Sequence, residues 1–303
     1  MTAAARAAGW LRVMPGVFVL IWATGFIVAR YGMPYAPPLK FLAVRYALTF
    51  AAFGLWAALA RVAWPVTRAQ WGHLMVTGVL VQAGYLAGVW AAVRAGMGSG
   101  LIALLVGLQP VLTGVWLSMR GGRITQRQWA GLLLGLTGLV LVVSRKFGDG
   151  GEVSLQTLSL AVAALLSITA GTLYQKRFVA PCDVRSASVV QFAAAMVATL
   201  PLASMETAPI VWNVYSIGAM AWSVLVLSLG GSSLFYILIQ RGSAAAVTSL
   251  LYLVPPTTAI MAWLLFSEPI TAMTLLGTAI TAVGVSLVVR EGRAALPAKQ
   301  RTP

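Results

Sequence analysis

Residues 98–119 read GSGLIALLVGLQPVLTGVWLSM. The stretch contains no charge, and an α-helix of roughly 17–25 mostly apolar residues is what crosses the hydrocarbon core of a bilayer. Its one strongly polar side chain at mid-length is Gln109, beside Pro110. A helix this apolar on every side has no face to offer water, and in lipid it needs none. The stretch 146 residues further on, 244–265, reads AAAVTSLLYLVPPTTAIMAWLL. It too is uncharged, and it carries Pro256 in the place of Pro110.

The whole chain has this character. Of its 303 residues 60% are hydrophobic and 9% charged, where a soluble domain carries roughly 25% charge. So few charges cannot cover a surface in water, so apolar residues face outward as well as inward. A net charge of +15 raises nucleic acid as a partner, but the basic residues sit at the ends of apolar runs, where membrane topology places them. They form no stripe with interleaved aromatics, and no nucleic-acid partner is expected. Cys182 is the single cysteine and His73 the single histidine, which excludes an internal disulfide, a cysteine metal cluster and a multi-histidine site. No phosphate loop, nucleophile elbow or paired carboxylate motif occurs, so neither a cofactor nor a metal is expected, nor an enzyme. Arg6 and Arg12 ahead of an apolar stretch mimic a signal peptide, but apolar segments continue to the C-terminus, and the first is read as a retained helix.

Cutting at charged, Pro and Gly clusters predicts ten transmembrane helices near 14–31, 38–60, 70–93, 98–119, 128–144, 158–177, 185–204, 214–239, 243–266 and 272–289. The connections are short, the longest around Arg145–Ser154, and a polar tail follows from Arg290. With ten spans both termini share a side. That side takes fifteen Lys and Arg, against six on the other: Arg30, Lys40, Arg45, Arg94, Arg145 and Lys146. Cytoplasmic loops carry the basic excess, so both termini are predicted cytoplasmic.

An internal repeat emerges at the 146-residue offset. Gly25 meets Gly171, Gly84 meets Gly230, Gly96 meets Gly242 and Pro110 meets Pro256. Ile124-Thr125 meets Ile270-Thr271, Gly131 meets Gly277, Gly138 meets Gly284, and Leu141-Val142-Val143 meets Leu287-Val288-Val289. The matches fall on residues that set backbone geometry. Each half, 1–146 and 147–303, holds five helices, and an odd number inverts one half relative to the other. The predicted fold is thus an all-α polytopic membrane protein of two inverted five-helix repeats. Secondary transporters are built this way, with the substrate site at the repeat interface near the midplane. A duplicated scaffold that moves no solute is the alternative from another class.

The order of these landmarks resembles a known family. Trp22…Gly25-Phe26 and Pro38…Arg45 look like its first two helices, and Gly96…Pro110 and Gly242…Pro256 followed by Glu268-Pro269 look like its paired later segments. The family is the drug/metabolite transporter superfamily, in its ten-helix EamA-type branch, and the resemblance covers about residues 14–290. It implies an exporter of amino acids, metabolites or toxic organic cations in a bacterial inner membrane. The pattern is not symmetric here: Glu268 corresponds to Gly122, and Arg45 to Gln191.

Depth along each helix selects the candidate pathway residues. Trp22, Thr24, Gln82, Tyr85, Gln109, Ser232 and Tyr252 fall near mid-membrane, and Tyr174 lies nearer the cytoplasm. Gln82 and Tyr85 share a helix face at i, i+3. A polar group facing lipid at this depth is expensive, so these side chains should face other helices or a watered cavity. Pro110 and Pro256 are expected to kink their helices about halfway along and free a carbonyl. Arg45, about a third of the way in from the outer end, could hold a substrate carboxylate, brace carbonyls or reach the interface. His73 is an interfacial residue with a proton-carrying role open to it, and Glu268 is a helix-end residue with a gating role open to it. The spacings Gly84-x-x-x-Gly88 and Gly131-x-x-x-Gly135, with Gly138 beyond, read as close helix packing, within one chain or between the protomers of a homodimer.

The expected partners are therefore a small-molecule substrate and the lipid bilayer, in a monomer or a homodimer. Aromatics with neutral hydrogen-bonders suit an amphipathic solute, and amino acids, aromatic ones included, come first. A proton-coupled drug or quaternary-ammonium exporter would want a buried carboxylate in an aromatic cage, and no acidic residue is predicted at mid-depth. The same lack favours facilitated diffusion over proton antiport.

Overall fold

The computed structural model describes residues 3–120, 126–146, 153–241, 250–268 and 270–294. Gly122, Ile124-Thr125, Asp149, Glu152, Gly242, Pro269 and the tail from 295 lie outside them, as do the side chains of Tyr252 and Glu291. Among the described residues the secondary structure is all helical: α1 (Ala3–Gly32), α2 (Pro38–Leu59), α3 (Arg68–Arg94), α4 (Ser99–Val106), α5 (Gln109–Met119), α6 (Gln126–Lys146), α7 (Leu155–Phe178), α8 (Val184–Met205), α9 (Val214–Gln240), α10 (Val254–Phe266) and α11 (Ala272–Ala294). Seven segments are long and apolar enough to cross a membrane, with three shorter apolar helices at Trp129–Gly138, Val254–Phe266 and Leu275–Gly284.

Short polar residues set the helix starts. Thr67 Oγ1 accepts from the Gln70 amide to open α3. Ser154 and Thr157 form a reciprocal capping box on α7, and Asn213 and Ser216 form one on α9. Asp183 Oδ1 accepts from the Arg185 amide at the start of α8. Each satisfies backbone N–H groups that a helix leaves unpaired at its first turn. Ion pairing with the Arg185 guanidinium holds the Asp183 carboxyl below its usual range.

The 146-residue offset reappears in the elements. α2 and α8 each run 22 residues with bounds 146 apart, as do the 27 residues of α3 and α9. Both of the latter carry a π-helical middle, Gly78–Gly84 in α3 and Ser223–Ser232 in α9. Contacts follow the same rule. Gly135 O accepts from Thr281 Oγ1 at 3.4 Å across exactly one repeat length. Tyr46 packs on Phe192, ring centroids 6.0 Å apart, and these positions are also 146 apart. Around Gly135, a Cβ added to Gly138 would lie 2.5 Å from Gly277 O, and one added to Gly284 would lie 2.5 Å from Gly131 O. The glycine spacing of α6 is thus used within the chain, against α11. Gly84 and Gly88 likewise admit Ser167 and Ala164 of α7.

One expectation about the prolines changes. Pro110 and Pro256 do not kink continuous helices. The helix is interrupted at Gly107–Leu108, and α5 restarts with Pro110 in its first turn. In the second half a 3-10 turn, Leu251–Leu253, precedes α10, with Pro255 and Pro256 in its first turn. Proline's missing N–H costs nothing at a helix start, where the donor would be unpaired anyway. The two breaks meet: a Cβ on Gly107 would lie 2.8 Å from Pro255 Cγ.

Phe18, Phe26, Phe41, Tyr46, Phe53, Trp90 and Phe192 fill the interior, while Leu55, Leu59, Leu225 and Leu264 are more than half exposed. An apolar exterior of this kind is the surface that a lipid-facing protein presents.

Candidate functional site

Where α1, α2, α3 and α9 converge, they enclose a small cavity lined by Trp22, Gly25, Phe26, Arg45, Gln82, Tyr85, Val89, Trp90, Leu227 and Ser232. Its aromatic wall is built by stacking. Trp22 lies parallel to Tyr85, centroids 6.1 Å and planes 7° apart, and is flanked by Phe18 and Phe235. Trp90 is backed by Phe41 at 4.8 Å. Room for the centres of water-sized spheres is about 30 Å³, enough for a water molecule or two and too little for an organic solute. An organic solute does not fit the site in this conformation.

The π-helical middles explain how α3 and α9 deliver polar groups here. A π-turn breaks the regular ladder and is common at functional sites. The carbonyls are then met from neighbouring helices: Tyr46 Oη donates to Gln82 O at 2.7 Å, and Ser167 Oγ donates to Leu80 O at 2.8 Å. This satisfies backbone groups that lipid cannot. Gln82 Nε2 reaches Ser232 Oγ at 3.5 Å, joining the two π-helical segments across the cavity.

Arg45 is 3% exposed. Its Nε donates to Ser228 Oγ at 3.2 Å, its guanidinium lies 5.8 Å from the Trp90 ring centroid, and its buried Nη1 has no hydrogen-bond partner. Neither interfacial snorkelling nor carbonyl bracing fits this placement. Ser228 stands at the repeat equivalent of Gln82, and Gln191 at that of Arg45.

Of the candidate pathway residues, Trp22, Gln82, Tyr85 and Ser232 come together here, joined by Arg45. Three do not. Thr24 Oγ1 donates to Ile21 O and accepts from the indole of Trp222, away from the cavity. Gln109 is fully buried in the broken-helix region, donating to Thr172 Oγ1 at 2.9 Å. Tyr174 Oη meets His73 Nδ1 at 2.8 Å, and both rings pack on Phe178. Tyr174 lines a separate groove of about 530 Å³ between α3, α5 and α7. The Tyr252 side chain lies outside the described residues. Trp90 and Phe26 are wall residues that depth-reading missed. Extending the Gln82/Tyr85 face by one further turn, to 89 and 90, would have found Trp90.

Outside the cavity lining, Glu268 follows α10 and forms an ion pair with Arg30 at the end of α1. Its Oε1 also accepts from the Ser99 amide at 3.2 Å, which opens α4. One carboxylate thereby ties α1 and α4 of the first half to the second.

The EamA-like transporter family matches the chain twice, over residues 16–144 and 155–290. The chain is 26% identical over 281 residues to an uncharacterised transporter, YvbV, of Bacillus subtilis (strain 168), covering 91% of this chain and 90% of that protein. It is 23% identical over 282 residues to a probable amino-acid metabolite efflux pump of Salmonella typhimurium, covering 89% and 92%. A solved crystal structure of a protein 18% identical in sequence superposes with a TM-score of 0.66, over 93% of this chain and 98% of that one, a likeness of fold alone.

Proposed function

The chain belongs to the EamA-like transporter family, and from that premise we propose that this integral membrane transporter moves small organic solutes, amino acids and their aromatic members first, by alternating access. The observation that carries the reading is the small cavity at the helix junction with the Trp22–Tyr85 stack at its wall. A pocket this small at the junction of α1, α2, α3 and α9 must widen to pass an organic solute, and alternating access would supply that change. The relative named as an amino-acid metabolite efflux pump supports export and the substrate class.

The proposed architecture is ten spans in two inverted halves, 1–146 and 147–303. The family match falls once in each half. Positions one repeat length apart touch at Gly135/Thr281 and Tyr46/Phe192, as equivalent residues do beside a two-fold axis. The Gly138/Gly277 and Gly131/Gly284 contacts are the same contact seen from either half, and their order along the chain makes α6 and α11 antiparallel. Since those glycine faces are occupied within the chain, we favour a monomer. We place it in a bacterial inner membrane with both termini cytoplasmic. Reporter fusions after Arg145 and after Arg290 are expected to report opposite sides, and same-side signals would refute the inverted arrangement.

The pathway itself is tested by cysteine accessibility. Trp22→Cys, Gln82→Cys and Tyr85→Cys, each in a Cys182→Ser background, are expected to react slowly with small water-soluble thiol reagents, as the cavity opens. Bound solute should slow them further. If all three stay inert while the protein transports, the cavity is packing and not pathway. No carboxylate lines the cavity, so nothing there favours the quaternary-ammonium reading.

A further inference from the structure

We infer that Arg45 is the anion-binding group of the central cavity, and that the solute it receives is a carboxylate with an apolar or aromatic remainder, not an amine. The inference rests on the transport reading above and revises its substrate order, placing carboxylates without an amine ahead of amino acids.

A guanidinium has five donors and keeps its charge. Arg45 is buried, faces the cavity, and leaves Nη1 without a partner. A buried cation lacking a counter-charge is costly to a fold, and its persistence asks for an occupant that meets it. No described carboxylate serves. Glu268 pairs with Arg30, Asp183 with Arg185, and Glu206 accepts from the Leu39 and Lys40 amides. The cavity offers one cation, two neutral hydrogen-bonders in Gln82 and Ser232, and an otherwise aromatic and aliphatic wall. Once the cavity widens, a carboxylate can accept from the guanidinium while an apolar remainder lies along the Trp22–Tyr85 stack. An ammonium group would find no acid, would be repelled by Arg45, and would find the nearby Trp90 face already beside the guanidinium. The order of preference should therefore run from carboxylate without an amine, through zwitterion, to amine.

Three ligands that share one ring test this: 3-phenylpropionate, phenylalanine and phenethylamine. Binding to the detergent-solubilised full chain is followed by tryptophan quenching, since Trp22 and Trp90 line the cavity. Binding is expected to weaken in that order. Arg45→Gln should weaken 3-phenylpropionate by about 10–100-fold, the worth of one charge-assisted pair, and Arg45→Lys by less. A second measurement needs no ligand: Arg45→Met should melt at or above wild type, because it removes an uncompensated buried charge, whereas loss of a structural brace would lower the melting temperature. Phenethylamine binding as tightly as 3-phenylpropionate, unchanged carboxylate affinity in Arg45→Gln, a clear loss of stability in Arg45→Met, or no binding by any of the three would each overturn the assignment. If wild type in liposomes exchanges phenylalanine or phenethylamine but not 3-phenylpropionate, the carboxylate assignment falls while the transport reading stands.

Discussion

Gly138→Ala and Gly284→Ala are each expected to melt about 5 °C below wild type in mild detergent, and by nearly the same amount. In each case the new Cβ would lie 2.5 Å from a backbone atom of the facing helix: Gly277 O for Gly138, and Gly131 O and Gly135 N for Gly284. Backbone atoms cannot rotate aside as a flexible side chain would, so α6 and α11 must separate along their contact. Overpacking of this kind costs about 1–3 kcal/mol, at times more, and about 3 kcal/mol moves a chain of 303 residues by roughly 5 °C. Near-equality follows from the reciprocal geometry, since the two substitutions press on the same contact from either half. Gly54→Ala is the control. Its Cβ would meet nothing within 4 Å, and Ala is a better helix former by about 1 kcal/mol, so it should melt at or slightly above wild type. A loss in one of the glycine pair without the other would remove the reciprocal contact from the argument for an inverted repeat.

Those glycines also mark what the sequence made legible. A glycine at a helix crossing leaves a trace because no other side chain permits the approach, so Gly131, Gly138, Gly277 and Gly284 align in the sequence itself. The capping residues Thr67, Ser154 and Asn213 were equally readable in principle, since short polar side chains ahead of apolar runs bond the first amides of a helix. The π-helical middles of α3 and α9 were not readable. Gly78–Gly84 reads GVLVQAG, which has no residue that forbids a regular turn, and the register is set by hydroxyls from Tyr46 and Ser167 on other helices. That hidden register is also why depth alone sorted the polar residues imperfectly. Gln109 and Gln82 both lie at mid-depth. Yet Gln109 sits beside the Gly107–Leu108 break and turns to Thr172, whereas Gln82 faces Ser232. The prolines failed for a related reason: Pro110 marks the first turn of a new helix after the break, and the broken segment gives no other sign of stopping at Val106. Arg45 kept three readings in the sequence. Only the convergence of α2 with Trp90 and Ser228 removed two of them.

If the solute enters as a monoanion on Arg45, uniport carries one net negative charge, and the membrane potential should dominate the direction of transport. One elementary charge across 100 mV is worth about 2.3 kcal/mol, which at 1.4 kcal/mol per tenfold is an equilibrium ratio of about 50. Proteoliposomes loaded with 3-phenylpropionate and set to 100 mV, negative inside, with a potassium gradient and valinomycin should therefore expel it to about 50-fold excess outside. Protein-free vesicles measure the leak of the neutral acid through lipid, to be subtracted. A pH gradient imposed at fixed potential should add nothing through the protein, because a proton-coupled carrier holds an ionisable group in its pathway and the cavity lining contains no acid and no histidine. His73 faces Tyr174 and Phe178 instead, and Glu268 is engaged with Arg30 and the start of α4. In a cell, whose interior is negative, the same coupling would drive an anionic solute outward with no other energy source, which suits export from a full cytoplasm. Distribution indifferent to the potential would show that the transported species is neutral overall. Accumulation that follows the pH gradient and disappears in His73→Ala or Glu268→Gln would replace facilitated diffusion with proton coupling, and would identify the residue responsible.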